Sequence, residues 1–174
     1  AITDLGSALT RMRTVPGRME VVPGAYGTPK VVVDYAHTPD ALEKVLTGLA
    51  AQCRGRLICV VGCGGNRDRG KRPEMAQVAS NLSDHLWLTS DNPRDEAPAD
   101  ILHDMLSGLS MEQRQHASAV EDRGAAIAQA VRAASVDDLV VIAGKGHEDT
   151  QEIAGVKYPF SDVAYVENMF KENA

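Results

Sequence analysis

The sequence has too few cysteines, in the wrong places, for a disulfide framework or a zinc site. Cys53, Cys59 and Cys63 are its only three. An odd set with no Cys-x-x-Cys pair points to reduced thiols, and Cys59, inside the apolar run Leu57-Ile58-Cys59-Val60-Val61, reads as a small buried hydrophobe. There is no uncharged apolar run long enough to span a bilayer, and no basic N-terminal region followed by an apolar stretch. The expectation is a soluble, cytoplasmic protein with no membrane partner. Positive charge is also scarce: 18 Lys and Arg stand against 24 Asp and Glu, a net charge of −6. That balance argues against a broad phosphate-binding surface, and so against nucleic acid as a partner. Internal repeats and low-complexity tracts are absent as well. What remains is 174 residues, 44% of them hydrophobic, which is chain enough for one domain with a short arm and for a core that needs no staples.

Strand-length apolar runs alternate with helix-length amphipathic stretches, the pattern of an α/β protein with an open, largely parallel sheet and crossover helices. Residues 3–13 read as a short helical arm, set apart by Pro16-Gly17, so that residues 1–15 form a linker and 16–174 the domain. Strands are expected at Arg18–Val22, Lys30–Tyr35, Leu57–Gly62, Leu86–Thr89, Ala117–Val120 and Leu139–Ala143, with a hairpin around Gly155. Thr38-Pro39-Asp40 supplies an N-cap, a proline at the first helical position and a first-turn acid; Leu42, Val45, Leu46 and Leu49 then recur on one helical face. Further helices are expected from Pro73, across Ile101–Leu109, near Ala125–Ala134, and after a Ser161 cap. Met105 and Trp87 fall at core-like positions.

The polar, glycine-rich clusters are Asp34–His37, Gly62–Lys71, Ser90–Glu96 and Gly144–Asp149, and each follows an apolar strand. In an open parallel sheet such loops share the carboxyl edge, where ligands bind. Gly65 to Lys71 comes close to a phosphate loop, but Arg72 stands where that motif needs Ser or Thr for magnesium, and Arg67, Asp68 and Arg69 crowd the turn. The guanidinium groups there suit direct, two-pronged recognition of a carboxylate or phosphate. Asp91-Asn92-Pro93-Arg94 places an acid, an amide and a guanidinium around a stiffening proline, a way to hold a zwitterion, although a plain turn with a solvated Arg has the same composition. His37, Lys145 and His147 read equally well as structural or turn residues.

Taken together and in order, Pro16–Glu20, Asp34–Leu42, Gly64–Asp68 with Lys71-Arg72-Pro73, Asp91–Arg94 and Gly144–Glu148 resemble the C-terminal domain of the Mur ligases of peptidoglycan synthesis. The branch they resemble adds meso-diaminopimelate. The resemblance runs over essentially the whole chain and implies a Rossmann-like open, mostly parallel sheet with helices on both faces. It implies an ATP-dependent ligase that activates a carboxylate of UDP-MurNAc-L-Ala-D-Glu as an acyl phosphate, which an amino group of meso-diaminopimelate then attacks. Carried over by motif, Arg67, Asp91, Asn92, Pro93, Arg94, Gly144 and Glu148 would bind the diaminopimelate. Guanidinium groups suit its carboxylates, Glu148 suits an ammonium, and the Gly144 carbonyl could accept from one. Arg18, Asp34 and His37 would face ATP, Asp34 towards ribose hydroxyls.

The family's phosphate loop, magnesium ligands and carbamylated lysine lie in a central domain, and its UDP-binding region lies before that; none is in these 174 residues. The expectation is therefore a C-terminal domain that presents half of an active site and does not ligate alone, with the rest of the same ligase as its partner. ATP and Mg2+ would be bound mainly by that central domain. Two rivals stand beside it: a stand-alone amino-acid or nucleotide binding module without catalysis, and a phosphohydrolase that uses Gly65–Lys71 on phosphate.

Overall fold

The β-branched runs form strands, and the central ones are buried on both faces. A computed structural model describes residues 15–172, so the expected helical arm lies outside the described residues. The elements are β1 (Glu20–Val22), β2 (Lys30–Asp34), α1 (Pro39–Ala50), β3 (Leu57–Cys63), α2 (Lys71–Leu82), β4 (His85–Ser90), α3 (Pro98–Ser107), α4 (Met111–Arg114), β5 (Ala117–Ala119), α5 (Arg123–Ala133), β6 (Leu139–Ala143), β7 (Thr150–Ile153), β8 (Val156–Pro159) and α6 (Asp162–Glu172). Six strands make one sheet in the order β1-β2-β6-β3-β4-β5. β1 runs antiparallel to β2, and every other pairing in that sheet is parallel.

Because side chains alternate with period two, each central strand feeds two cores. Cys59, Val61, Leu139 and Val141 join one core with Leu42, Leu46, Leu49, Met75, Ala76, Ile101 and Met105. Ile58, Val60, Val140 and Ile142 join the other with Ala126, Ile127, Ala130, Val166 and Phe170. Helices α1 to α3 thus cover one face, and α5 and α6 the other. Right-handed crossovers explain the division: the chain steps one way across the sheet from β2 to β5, then returns to insert β6 between β2 and β3, which throws α5 to the opposite face. The fully buried leucines of α1 each contribute about 1.5–3 kcal/mol by leaving water.

Several local expectations hold. The Thr38 hydroxyl accepts from the Ala41 amide, and Pro39 opens α1. The Ser161 hydroxyl accepts from the Ala164 amide. Ala154 and Gly155, both at positive φ, make the two-residue turn between β7 and β8. Some boundaries differ. The first strand starts at Glu20 rather than Arg18, because Gly17 and Met19 adopt positive φ. Helix α2 begins at Lys71, two residues before Pro73, since a proline within the first turn sacrifices no intrahelical hydrogen bond. Leu109 is buried but lies beyond the end of α3. Trp87 is half-buried against the α5–α6 core, with its indole N–H unpartnered among the described residues.

Candidate functional site

The elements that follow β6 return to the second face, while those that follow its neighbours β2 and β3 cover the first. A crevice therefore opens beside the end of β6, the place such sheets use for ligands. A cleft of about 340 Å3 lies there, walled by all four polar loops. Arg67, Asp91, Asn92, Arg94, Gly144, Glu148 and His37 line it; Pro93, Arg18 and Asp34 do not.

At the floor is a fully buried cation. The Lys145 ammonium donates to the Glu148 carboxylate at 2.9 Å and to the Asn92 side-chain oxygen at 3.1 Å. Asn92 donates its own amide to Glu148 at 2.9 Å and accepts from the Glu152 backbone at 2.9 Å, so its orientation is set by three partners. Burial pushes Glu148 up, but the hydrogen bonds from Lys145 and Asn92 outweigh it and hold the group below the ordinary carboxylate range. Asp91 differs. It is 8% exposed, and its carboxylate accepts no hydrogen bond from any described residue. Burial pushes its carboxyl up, partly offset by the Arg123 and Lys145 cations. Gly144, at φ +111°, makes room for it, because a Cβ there would lie 2.8 Å from an Asp91 oxygen.

The guanidinium side of the cleft is built from interlocked loops. Arg94, at φ +52°, donates from Nη1 to the Gly65 carbonyl at 2.8 Å, and its Nε lies 3.6 Å from Glu152. The Gly65 amide donates to the Asn92 carbonyl at 2.9 Å, and a Cβ on Gly65 would collide with the Pro93 carbonyl, so buried Pro93 serves as backing rather than lining. Arg94 also pairs with the hairpin: its amide donates to Glu152 and its carbonyl accepts from Ala154. Beneath, the buried Arg72 binds Glu96, Asp104 and the Gly64 carbonyl, while Glu96 accepts from the Asn66 amide. These bonds leave Glu96 with a pKa of about 2, through Arg72 first and Asn66 second. Arg67 lies exposed at the mouth.

At the opposite wall, Asp34 has both oxygens engaged, by the Met19 and Ala36 amides at 2.8 Å each. It fixes the turn that carries Tyr35 and His37. The Arg18 guanidinium stacks 4.6 Å above the Tyr35 ring, against which His37 and His147 also pack. Sequence reasoning left Tyr35, Lys71 and Lys145 out of the site. Lys71 lines the cleft and donates to the His37 carbonyl at 3.0 Å. Its position at the end of the glycine-rich loop was the available signal; for Lys145 it was the three-residue spacing to Glu148.

Among the described residues there is no group of three or more His, Cys, Asp or Glu that could hold a metal ion. No helix of the described residues is long and apolar enough to cross a membrane.

A largely parallel sheet with four polar loops gathered around one cleft at its carboxyl edge defines a Rossmann-like, ligand-binding α/β domain. The family model described as Mur ligase, glutamate ligase domain, matches residues 17–146, and the chain belongs to that family. Among its relatives, a protein of Coxiella burnetii (strain RSA 493 / Nine Mile phase I) named UDP-N-acetylmuramoyl-L-alanyl-D-glutamate--2,6-diaminopimelate ligase is 55% identical over 156 residues, 89% of this chain and 31% of that protein. A protein of the same name from Pseudomonas syringae pv. tomato (strain ATCC BAA-871 / DC3000) is 52% identical over 163 residues, 94% of this chain and 33% of that protein. A solved structure of a ligase with that name superimposes with a TM-score of 0.86 at 42% identity, covering 99% of this chain and 35% of that one. The chain thus spans about a third of the length of the relatives it matches.

Proposed function

We propose that this chain is the amino-acid-recognising domain of an ATP-dependent ligase that joins meso-diaminopimelate to UDP-MurNAc-L-Ala-D-Glu in peptidoglycan synthesis. The observation that carries the reading is the presence, in one cleft, of the Arg67 and Arg94 guanidinium groups and of Asp91, whose carboxylate accepts no hydrogen bond from any described residue. meso-Diaminopimelate differs from lysine by a carboxylate on its distal carbon, so the distal end is a zwitterion. A guanidinium takes the carboxylate and Asp91 takes the ammonium. Glu148, already bonded to Lys145 and Asn92, offers its remaining oxygen, and the Gly144 carbonyl is a further acceptor. The names of the relatives support the substrate, and the one-third coverage supports a domain over a stand-alone binding module.

In this reading the domain contributes orientation. It holds one end of the amino acid so that the amino group at the other end meets the activated carboxylate, an effect that can supply several kcal/mol of a barrier. Arg18, stacked on Tyr35, and His37 face the nucleotide, and Asp34 holds the turn that presents them. In this reading ATP and Mg2+ are bound mainly by the rest of the ligase, and ligation needs that part together with this chain.

Calorimetric titration of the chain, and of the complete ligase, with meso-diaminopimelate and separately with lysine tests the reading. Heat with diaminopimelate and none with lysine is expected from the complete ligase. Equal affinity for lysine overturns it.

A further inference from the structure

Behind the cleft, on the α5–α6 face of the sheet, lies an ion pair with no solvent exposure on either side chain. Arg123, the first residue of α5, donates from Nε and Nη2 to both oxygens of Asp162, the first residue of α6, at 2.7 and 2.8 Å. The guanidinium has two further contacts. Nη1 donates to the Ser90 carbonyl at 3.2 Å and Nη2 to the Ala143 carbonyl at 3.0 Å. Those carbonyls end β4 and β6, the two strands that flank β3, so one rigid planar group bridges the full width of β3 from beneath.

The next residue on each strand belongs to the cleft. Asp91-Asn92 follows Ser90, and Gly144-Lys145 follows Ala143. These two arms face each other closely: the Asp91 carboxylate sits against the α-carbon of Gly144, and Asn92 meets Lys145 across the same gap. A buried ion pair is poor evidence of stabilisation, because well-packed hydrocarbon of the same shape often does as well or better. What hydrocarbon cannot do is donate to two strand-end carbonyls at a fixed separation. We infer that Arg123, locked by Asp162, is a positioning residue of the cleft, setting the spacing between the Asp91-Asn92 and Gly144-Lys145 arms and with it the fit of the ligand's ammonium end. Its charge also opposes the burial of the Asp91 carboxylate, which favours the form that accepts an ammonium. The ligand part of this inference rests on the function proposed above; the spacing part does not.

Two variants test it in the 174-residue chain. The double variant Arg123→Met/Asp162→Leu removes both charges and keeps much of the volume. The variant Arg123→Lys keeps the charge but cannot bridge both carbonyls. Expected in both are cooperative unfolding, amide resonance changes concentrated at 90–94 and 144–148, and meso-diaminopimelate affinity lower by between about ten- and a hundredfold, as for a site misplaced by a fraction of an ångström. A lysine at position 123 should not rescue affinity, whereas a purely structural ion pair would be rescued by it. If either folded variant keeps the wild-type resonances of Asn92 and Gly144, or keeps wild-type affinity, the inference is overturned; should the double variant not fold, Arg123→Lys decides alone. If the unaltered chain and the complete ligase both ignore diaminopimelate, the functional reading fails, and the resonances still decide the spacing.

Discussion

If the proposed function holds, replacing Arg94 by alanine separates the recognition of diaminopimelate from its mere accommodation. The guanidinium gives one hydrogen of Nη1 to the Gly65 carbonyl and keeps its outer edge for the cleft, with 23% of the side chain exposed. Truncating one partner of a buried, hydrogen-bonded charge pair costs about 2–5 kcal/mol. Partial exposure places Arg94 near the lower end, about 2–3 kcal/mol, or roughly 30- to 140-fold at tenfold per 1.4 kcal/mol. The assay is the ratio of kcat/KM for meso-diaminopimelate to that for lysine in the complete ligase. The ratio matters because loss of the Gly65 contact loosens the loop for both ligands alike, and such an effect cancels; the distal carboxylate does not. A ratio unchanged from the unaltered enzyme refutes the assignment and moves the carboxylate to Arg67 or Lys71.

Glu96→Gln should destabilise the chain by about 1–2 kcal/mol at pH 7, as for a charged hydrogen bond at a partly exposed site. Because the folded pKa of Glu96, about 2, lies below its ordinary 4.5, that contribution is complete above about pH 4.5 and is lost as pH falls towards 2. Urea unfolding of both proteins from pH 6 to 2 should show the difference closing; a constant difference rejects the account. Gly144→Ala places a Cβ at positive φ against Asp91 and should cost about 1–3 kcal/mol with a loss of ligand affinity, and an unchanged unfolding midpoint would contradict it. Burial pushes Cys59 and Cys63 to about 12, leaving about one part in ten thousand as thiolate at pH 8. Iodoacetamide on the native chain should therefore spare both, although Cys63 lines the cleft, and peptide mass spectrometry showing a Cys63 adduct would disprove this.

The fold was readable where one local rule sufficed. Val31-Val32-Val33 and Leu139–Ala143 are too β-branched and too uniformly apolar for surface elements, and Thr38-Pro39 marks a helix start by chemistry alone. The loops carrying Arg67, Asp91–Arg94 and Gly144–Glu148 could be found because each follows such a strand. Lys145 escaped because a lysine between glycines looks like a solvated turn, and only its enclosure by Asn92 and Glu148 makes it a floor. The structural role of Arg72 is not legible in the sequence, where it stands in a family motif at the place of a magnesium-binding Ser or Thr, since its acid partners, Glu96 and Asp104, lie 24 and 32 residues away. Pro93 and Asp34 belong to the site's motifs yet act through backbone packing and turn geometry, which residue type does not reveal.

Under the proposed function, the Gly65–Pro93 contact constrains any change in the amino acid that the cleft accepts. The glycine-rich loop, the Asp-Asn-Pro-Arg turn and the first strand of the hairpin are stitched together at Gly65, Arg94 and Glu152, with no space at Gly65 for even one added methyl group. Exchanging Arg94 alone alters a charge inside a shell shaped for another molecule. A transplant of specificity has to move three separate stretches of sequence together, and natural drift towards a new amino acid meets the same requirement.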